Sequence, residues 1–191
     1  MPLRKWTPDE VTRFLEAIDG NLDGPFRLII IGGSALAIGY SVDVATKDID
    51  ALDSAVIRIE AAAELARRET GLAIPLGPTG VWEMPYNFED RLQRVLPHLT
   101  KLEVQVPEAH DLALSKLMRG NENDFLQIEE LHRRRSLDMN VLIERHELET
   151  DHIASARARR ELHRNLLETI ERLWGEMALE PARSALKPPA R

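Results

Sequence analysis

A glycine turn near the start of the chain has the composition of a phosphate-binding site. Gly32 and Gly33 follow an apolar run that ends at Ile31, and Ser34 comes directly after them. Two adjacent glycines between a strand and a helix let backbone amides approach a phosphate without a side-chain clash, and the helix end adds positive dipole character. The hydroxyl of Ser34 would be a further donor. We therefore predict that Gly32, Gly33 and Ser34 bind phosphate groups.

Two aspartates follow at a spacing that suits a metal ion. Asp48 and Asp50 flank Ile49 in residues 47–52, which are predicted to form a strand, so both carboxylates are expected on one face. Two like charges on a largely apolar strand repel each other and need a counter-cation. Carboxylate oxygens suit Mg²⁺ or Mn²⁺, and Mg²⁺ commonly shares a triphosphate as its other ligand. The pair is therefore predicted to bind divalent metal.

Each motif by itself also has an ordinary explanation. A Gly-Gly-Ser sequence is most often only a tight turn, and an acidic chain contains an Asp-x-Asp pair by chance. The glycine turn lacks the Gly-Lys-Ser/Thr of a Walker loop, and Ser34 and Ala37 occupy the later glycine positions of a dinucleotide fingerprint. The order and spacing of the two motifs therefore carry more weight than either motif alone.

The composition narrows the remaining chemistry. The chain has 191 residues and no cysteine, which excludes disulfides, thiolate zinc sites and cysteine nucleophiles. It has no apolar run of membrane-spanning length and no signal-peptide pattern at its N-terminus, so we expect a cytoplasmic protein without a membrane partner. A net charge of -7 argues against a general nucleic-acid coat protein, although basic clusters at residues 132–135 and 157–164 leave room for local RNA contact.

The elements that position these motifs can be predicted from periodicity and capping signals. A helix with a capping box is predicted to start at Pro8, with Thr7 as its N-cap and Glu10 as the partner of Thr7. Strands are predicted at residues 27–31, 47–52 and 99–106, and further helices at residues 34–40, 54–68, 108–119, 123–135, 138–148 and 151–178. The sequence indicates an α+β protein with an α/β core at residues 1–106, a helical region at residues 107–180 and a flexible tail at residues 181–191.

The order of the two motifs resembles the signature of the polymerase-β-like nucleotidyltransferases. In that superfamily a glycine turn precedes a paired carboxylate on an adjacent strand, and here thirteen residues separate Ser34 from Asp48. Thr46 precedes the aspartates, as a threonine does in the small bacterial AbiEii-like branch. The resemblance implies a mixed sheet with flanking helices. It also implies a metal-dependent enzyme that moves a nucleoside monophosphate from a nucleoside triphosphate (NTP) to a hydroxyl group.

The same resemblance assigns two residues of the helical region to the site. Residues 116–124 are similar to a segment that supplies a lysine and an aspartate in the AbiEii-like branch, so Lys116 and Asp124 carry over. Lys116 would bind the triphosphate as a point charge, and the alternative is a surface lysine whose stem packs on its helix. Two positions depart from this branch. Val44 occupies a position at which the branch often has arginine, and Gln127 occupies one at which the branch often has a second acid.

Many members of the superfamily have a third carboxylate that binds metal and acts as the base for the attacking hydroxyl. Glu103 is the candidate, because it is an acid between Leu102 and Val104 in a predicted strand. The alternative for Glu103 is an exposed strand position without a catalytic role. Glu83 is the reserve candidate, and Asp124 is an alternative source of the base.

Two functions from different classes remain open. The first is nucleotidyl transfer to an RNA end or a protein side chain, and the resemblance implies a toxin or phage-defence role with an antitoxin protein as a partner. The second is a catalytically silent domain of the same fold that acts as a binding or regulatory partner, which the two departures favour. An oxidoreductase with a nucleotide cofactor is less consistent with the sequence, because the full glycine fingerprint is missing.

Overall fold

The computed structural model describes residues 4–52, 55–79, 84–153 and 155–187. The chain divides into two units, of which the first comprises Met1–Val81 and Leu92–Pro107 and the second comprises Trp82–Arg91 and Glu108–Arg191. The first unit contains a mixed sheet with flanking helices, and the second is helical. The predicted α+β class is therefore confirmed. The segment 82–91, which the sequence-based division places in the core, belongs to the helical unit.

The first unit is built on a five-stranded mixed sheet with the order β3-β2-β1-β5-β4. The central strand β1 pairs with β2 in antiparallel and with β5 in parallel orientation, whereas β3 is parallel to β2 and β4 is antiparallel to β5. The strand bounds are Phe26–Ile31 for β1, Ile49–Leu52 for β2, Leu76–Thr79 for β3, Gln93–Val95 for β4 and Leu102–Val106 for β5.

Three helices complete the first unit. They are α1 at Pro8–Asn21, α2 at Gly32–Tyr40 and α3 at Ala55–Thr70. The predicted capping box of α1 is confirmed: the Glu10 amide donates to the Thr7 hydroxyl, and the Thr7 amide donates to the Glu10 carboxylate at 2.9 Å. The apolar face of α1 is fully buried, which anchors this helix in the core of the unit.

The two faces of the sheet differ in polarity. Side chains alternate along each strand, so one face carries fully buried apolar residues, among them Leu28, Ile30, Ala51 and Val104. In the pairing register Ile31 lies opposite Asp50, and Ile30 lies opposite Ala51. Asp50 is therefore on the opposite, more polar face of the sheet.

In the part that the structure describes, the second unit contains five α-helices. They are α4 at Ala109–Leu117, α5 at Glu122–Arg135, α6 at Met139–Glu149, α7 at Ala156–Trp174 and α8 at Leu179–Ala185, with short 3₁₀ helices at Phe88–Arg91 and Glu176–Ala178. Helix α8 includes residues 181–185, which form the first part of the segment predicted to be a flexible tail. Across the described ranges, none of the helices is both long and apolar enough to span a bilayer.

A cluster of ion pairs ties residues 84–91 to the helices of the second unit. The Arg91 guanidinium donates to the fully buried Asp111 at 2.9 and 3.0 Å and to Glu149 at 2.6 and 3.0 Å. Arg145 donates to Asp111 at 2.9 Å and also to Glu108. Each buried carboxylate of this cluster has a cationic partner, which is the condition for burying charge without a large penalty.

Candidate active site

The glycine turn begins helix α2 directly after β1. Gly32 has φ +69°, a left-handed conformation that disfavours residues with a Cβ atom. The residue before it, Ile31, makes no side-chain capping hydrogen bond to the first turn of α2. The first amides of a helix have no carbonyl partner within the helix, so this turn presents the kind of donors that an anion can accept from, and phosphate binding here stays a prediction. The helix begins at Gly32, two residues earlier than predicted.

Asp50 lies against this turn. It occupies the second position of β2 and pairs across the sheet with Ile31, the residue that precedes the glycines. A Cβ atom added to Gly32 would lie only 3.1 Å from Oδ2 of Asp50. The absence of a side chain at Gly32 thus brings the carboxylate next to the backbone amides. A carboxylate beside the first turn of a helix is an arrangement that could hold a metal ion together with a triphosphate.

Asp48 is positioned by a loop and not by the strand. It is exposed and precedes the first residue of β2, Ile49, so the prediction that alternation along one strand aligns both aspartates is wrong. The hydroxyl of Thr46 donates to the backbone carbonyl of Asp48 at 2.8 Å. A Cβ atom on Gly33 would lie 3.4 Å from the same hydroxyl oxygen. Thr46 therefore connects the loop of Asp48 to the glycine turn.

Trp6 anchors this loop, and sequence reasoning missed it. Its amide donates to the Thr46 carbonyl at 2.6 Å, and the Thr46 amide donates back to the Trp6 carbonyl at 3.0 Å. The indole is buried, and the Arg4 guanidinium lies 4.0 Å from the ring centroid. The sequence contains no local signal that joins Trp6 to a loop so far along the chain.

Ser34 is buried, and its hydroxyl donates to the Ile31 carbonyl at 3.2 Å. Its hydroxyl proton is therefore already used within the turn. Donation to a phosphate, which the sequence predicts for this hydroxyl, would therefore fall to the backbone amides of Gly32, Gly33 and Ser34.

Glu103 lies elsewhere on the sheet. In the register of β1 and β5 it is opposite Arg27, four residues before Ile31, which is about 13 Å along the strand. Its carboxylate accepts a hydrogen bond from Gln105 at 2.7 Å. The structure does not bring Glu103 together with Asp50. The reserve candidate Glu83 lies outside the described residues.

The carboxylates present still fit Mg²⁺ or Mn²⁺. Within the described ranges, no group of three histidine, cysteine, aspartate or glutamate side chains is arranged to hold a metal ion. Mg²⁺ does not need such a cage, because it typically binds one or two carboxylates together with water and substrate phosphates. Asp48 and Asp50 are the residues that would hold it.

In the second unit, Lys116 and Asp124 form a buried pair. The distance from Nζ of Lys116 to Oδ1 of Asp124 is 3.7 Å, and the two side chains are 3% and 1% exposed. Arg119 donates to the same Oδ1 atom at 2.8 Å. The alternative of a surface lysine is therefore wrong for Lys116. Two helices supply the pair, since Lys116 lies in the last turn of α4 and Asp124 in the first turn of α5.

The other oxygen of Asp124, Oδ2, is buried and accepts no hydrogen bond from any part of the chain that the structure describes. A buried carboxylate oxygen without a donor is energetically unfavourable, and such atoms commonly mark a functional site. Oδ2 could accept a proton or a hydroxyl hydrogen bond.

The turn between α4 and α5 is fixed by a contact that the sequence did not reveal. Gly120 has φ +54°, and an added Cβ atom would lie 2.0 Å from Nδ2 of Asn165. Asn165, on α7, donates this amide to the Leu117 carbonyl at 2.8 Å. At the start of α5, the Asp124 amide donates to the Asn121 side chain at 3.0 Å. Asn165 and Asn121 therefore cap the two helix ends that carry the charged pair.

Comparison with known proteins identifies one matching family model. The model, described as a nucleotidyltransferase of unknown function (DUF6036), matches residues 9–173. No curated protein and no solved structure shows a significant match to the chain. The matched range includes both the glycine turn with its aspartates and the Lys116–Asp124 pair. It supports the nucleotidyltransferase superfamily, whereas the AbiEii-like branch stays a prediction.

Proposed function

The chain belongs to the DUF6036 family of nucleotidyltransferases, and we propose that it moves a nucleoside monophosphate from an NTP to a hydroxyl acceptor. The acceptor oxygen forms a bond to the α-phosphorus, the bond from that phosphorus to the β-phosphate oxygen breaks, and pyrophosphate leaves. The observation that carries this proposal is the contact between Gly32 and Asp50, where a Cβ atom would lie 3.1 Å from the carboxylate. It joins a phosphate-binding turn to a metal-binding acid.

In this proposal the first unit binds the triphosphate. Asp48 and Asp50 hold the divalent ion, and the amides of Gly32, Gly33 and Ser34 donate to phosphate oxygens. When bound, Mg²⁺ or Mn²⁺ neutralises charge on the triphosphate and favours ionisation of the attacking hydroxyl. Thr46 keeps the loop of Asp48 against the glycine turn through its hydrogen bond to the Asp48 carbonyl.

We further propose that Lys116 and Asp124 take part in the same transfer. The ammonium group of Lys116 would stabilise the negative charge that develops on the leaving pyrophosphate. Oδ2 of Asp124, which lacks a donor among the described residues, would accept the proton of the attacking hydroxyl. Glu103 is not brought to the aspartates, so we propose Asp124, the alternative base named from the family resemblance, for this role.

Transfer of radiolabel from each α-labelled NTP to total RNA or to protein tests the reaction directly. We expect labelling with Mg²⁺ or Mn²⁺ that falls by roughly a hundredfold or more in Asp50→Asn, since the charge stabilisation lost is worth several kcal/mol. Asp43→Asn is the matched control, because Asp43 is an exposed acid of the same loop. Undiminished transfer by an Asp48→Asn/Asp50→Asn double variant would refute the proposal.

The roles of the second unit are tested separately with Lys116→Met and Asp124→Asn. Lys116→Met should lower the rate of transfer at saturating NTP, and Asp124→Asn should remove the rise of rate with pH that a general base gives. If both variants transfer label at the wild-type rate while Asp50→Asn does not, catalysis is restricted to the residues of the first unit.

A catalytically silent domain is the second candidate function. It is favoured by the lack of a third carboxylate near Asp50 within the described residues, and by the departures at Val44 and Gln127. Titration calorimetry with each NTP and Mg²⁺ separates the two functions. NTP binding that requires Asp50 supports the enzyme, whereas no binding under any metal condition supports the silent domain.

We propose a toxin or phage-defence role as the biological setting, with an antitoxin protein as the partner. Induced expression should then arrest growth of a bacterial host, and the Asp50→Asn variant should not. Arrest that is equally strong with both proteins would contradict an enzymatic toxin.

A further inference from the structure

The polar face of the sheet carries a row of charged and amide side chains beyond Asp50. Arg94 of β4 lies opposite Gln105 of β5, and Glu103 of β5 lies opposite Arg27 of β1. Partners in register point to the same side of a sheet, and so do alternate residues of one strand. These four side chains therefore share the face that bears Asp50, which pairs with the far end of β1.

Gln105 holds two of these side chains in place. Its Oε1 atom accepts from Nε of Arg27 at 2.7 Å, and its Nε2 atom donates to Oε1 of Glu103 at 2.7 Å. The amide therefore orients a guanidinium on one strand and a carboxylate on its own strand. Among the described residues, the other two guanidinium nitrogens of Arg27 make no hydrogen bond, and the other carboxylate oxygen of Glu103 accepts none.

A recess of about 310 Å³ lies beside this row, within the first unit. Its lining includes three cationic side chains, Arg27, Arg94 and Lys101, and one acid, Glu103. The recess is thus locally positive although the whole chain has a net charge of -7. The side chain of Arg94 is exposed and makes no hydrogen bond or ion pair with the part of the chain that the structure describes. An exposed, unpaired arginine in a positive recess is suited to a phosphate group.

We propose that this recess binds the sugar-phosphate backbone of a single-stranded RNA whose terminal hydroxyl is the acceptor. The inference rests on the proposed function, because it assigns the acceptor of that reaction. Arg27 and Arg94 bind successive phosphates, and the free carboxylate oxygen of Glu103 accepts a hydrogen bond from a ribose 2′-hydroxyl. That hydroxyl is the group by which a protein distinguishes RNA from DNA.

The geometry favours RNA over a protein acceptor. The recess begins about 13 Å along β1 from the pairing partner of Asp50, so an acceptor must extend over that distance with negative groups along its length. A phosphodiester chain has this repeat of charge, whereas a single serine or tyrosine side chain needs no such cationic row. In this proposal Glu103, which the sequence predicts as a metal ligand, instead binds the acceptor and selects RNA.

Fluorescence anisotropy with a labelled 12-nucleotide RNA, measured without NTP or metal, tests the recess. We expect Arg27→Ala/Arg94→Ala to weaken binding by roughly tenfold or more at low salt. The slope of log affinity against log salt should fall by about 1.4, because each phosphate contact on a single strand contributes about 0.7. Arg13→Ala/Arg68→Ala is the matched control, since it removes two exposed arginines from helices α1 and α3 of the same unit.

Glu103→Gln tests the choice of RNA. The wild-type protein should bind the RNA more tightly than the DNA of the same sequence. Glu103→Gln should lower the ratio of RNA affinity to DNA affinity, and it should leave the DNA affinity unchanged or slightly raised. A ratio unaffected by Glu103→Gln would refute the role of this carboxylate.

The alternatives have distinct outcomes. RNA affinity that is unchanged in Arg27→Ala/Arg94→Ala, or lost only in Arg157→Ala/Arg160→Ala on α7, overturns the inference. Label transfer to protein that is independent of Arg27 and Arg94 overturns it as well. If instead the proposed function fails and the inference holds, the wild-type protein will bind RNA through Arg27 and Arg94 but transfer no nucleotide. The Asp50→Asn variant should bind RNA normally in every case.

Discussion

The two units fix their candidate site residues by different means. In the first unit, the position of Asp50 follows from backbone geometry: its register with Ile31 and the left-handed turn at Gly32. In the second unit, Lys116 and Asp124 are held by charge, because both are almost completely buried and Asp124 accepts from Arg119. The first arrangement depends on the absence of a side chain at Gly32, and the second depends on opposite charges on buried side chains.

This difference predicts that the two sets of candidate site residues tolerate different substitutions. A site shaped by glycines should tolerate changes of charge and pH but not an added methyl group. A site held by buried ion pairs should tolerate small changes of shape but not the neutralisation of one buried member of the pair. Four sets of variants test this contrast, beginning with the largest effect on stability.

Asp124→Asn should destabilise the protein by roughly 3–5 kcal/mol, because Lys116 would then lie buried beside a neutral amide. Arg119→Ala is the matched comparison, since Arg119 binds the same carboxylate from a position that is 56% exposed. It should cost about 1 kcal/mol or less. Urea denaturation followed by circular dichroism measures both. Equal costs in the two variants would show that burial of Lys116 does not depend on Asp124.

Gly120→Ala should cost roughly 2–4 kcal/mol, because it combines left-handed strain with displacement of the Asn165 amide from the Leu117 carbonyl. Gly175→Ala controls for strain alone, since Gly175 has φ +83° and open space at the Cβ position. The double variant Gly120→Ala/Asn165→Ala should be less destabilised than the sum of its parts. Full additivity would contradict the clash.

Gly32→Ala should cost about 1–2 kcal/mol of stability through left-handed strain, and Gly71→Ala should cost nearly the same. Both glycines have φ +69°, but the Cβ position at Gly71 has no neighbour within 4 Å, whereas that at Gly32 faces Asp50. Only Gly32→Ala should therefore slow nucleotidyl transfer, by about a hundredfold if the carboxylate shifts by an ångström. Equal activity of the two variants would contradict the contact between turn and acid.

The smallest effect concerns pH. Burial lowers the pKa values of His146 and His163, whose rings lie 5.6 Å apart in the second unit. Glu147 opposes the shift at both rings. Because the pKa values are lowered in the folded state, the histidines of the unfolded state bind protons at a higher pH than those of the folded state. The free energy of unfolding is therefore highest above about pH 6.5 and decreases as the pH falls below that value.

Urea denaturation between pH 7.5 and 5.5, a range about the ordinary pKa of histidine, measures this dependence. His146→Gln/His163→Gln should have a flatter dependence than the wild type, while His152→Gln, at an exposed position, should not change it. An equally steep decrease in the double variant would assign the dependence to other groups.

The sequence predicted those parts of the molecule that local signals determine. The capping box of Thr7 and Glu10 and the turn at Gly32 were found because each depends on residues a few positions apart. Glu103 was assigned to the polar side of a strand for the same reason. Its distance from Asp50 was not predictable, because the register of β1 with β5 is set by contacts between distant segments.

The remaining differences between the predicted and the observed elements have the same origin. The start of β2 is set by its pairing with β1 and β3, and alternation alone cannot show that Asp48 precedes it. The segment 82–91 joins the helical unit through the ion pairs of Arg91, which have no signature in the sequence. The prolines at positions 181, 188 and 189 favour a tail in the sequence, yet Pro181 lies in the first turn of α8, where proline is tolerated because its missing N–H has no partner to lose.

The parallel pairing of β1 with β5 determines when during synthesis the sheet can close. β5 is the last of the five strands in the chain but lies beside the first, at the centre of the sheet. Until the ribosome releases Val106, one side of β1 has no hydrogen-bonding partner and is a target for wrong pairing. The glycine turn and the aspartates are therefore translated long before their scaffold is complete. We expect nascent chains that end before β5 to need chaperone protection and to lack nucleotide binding.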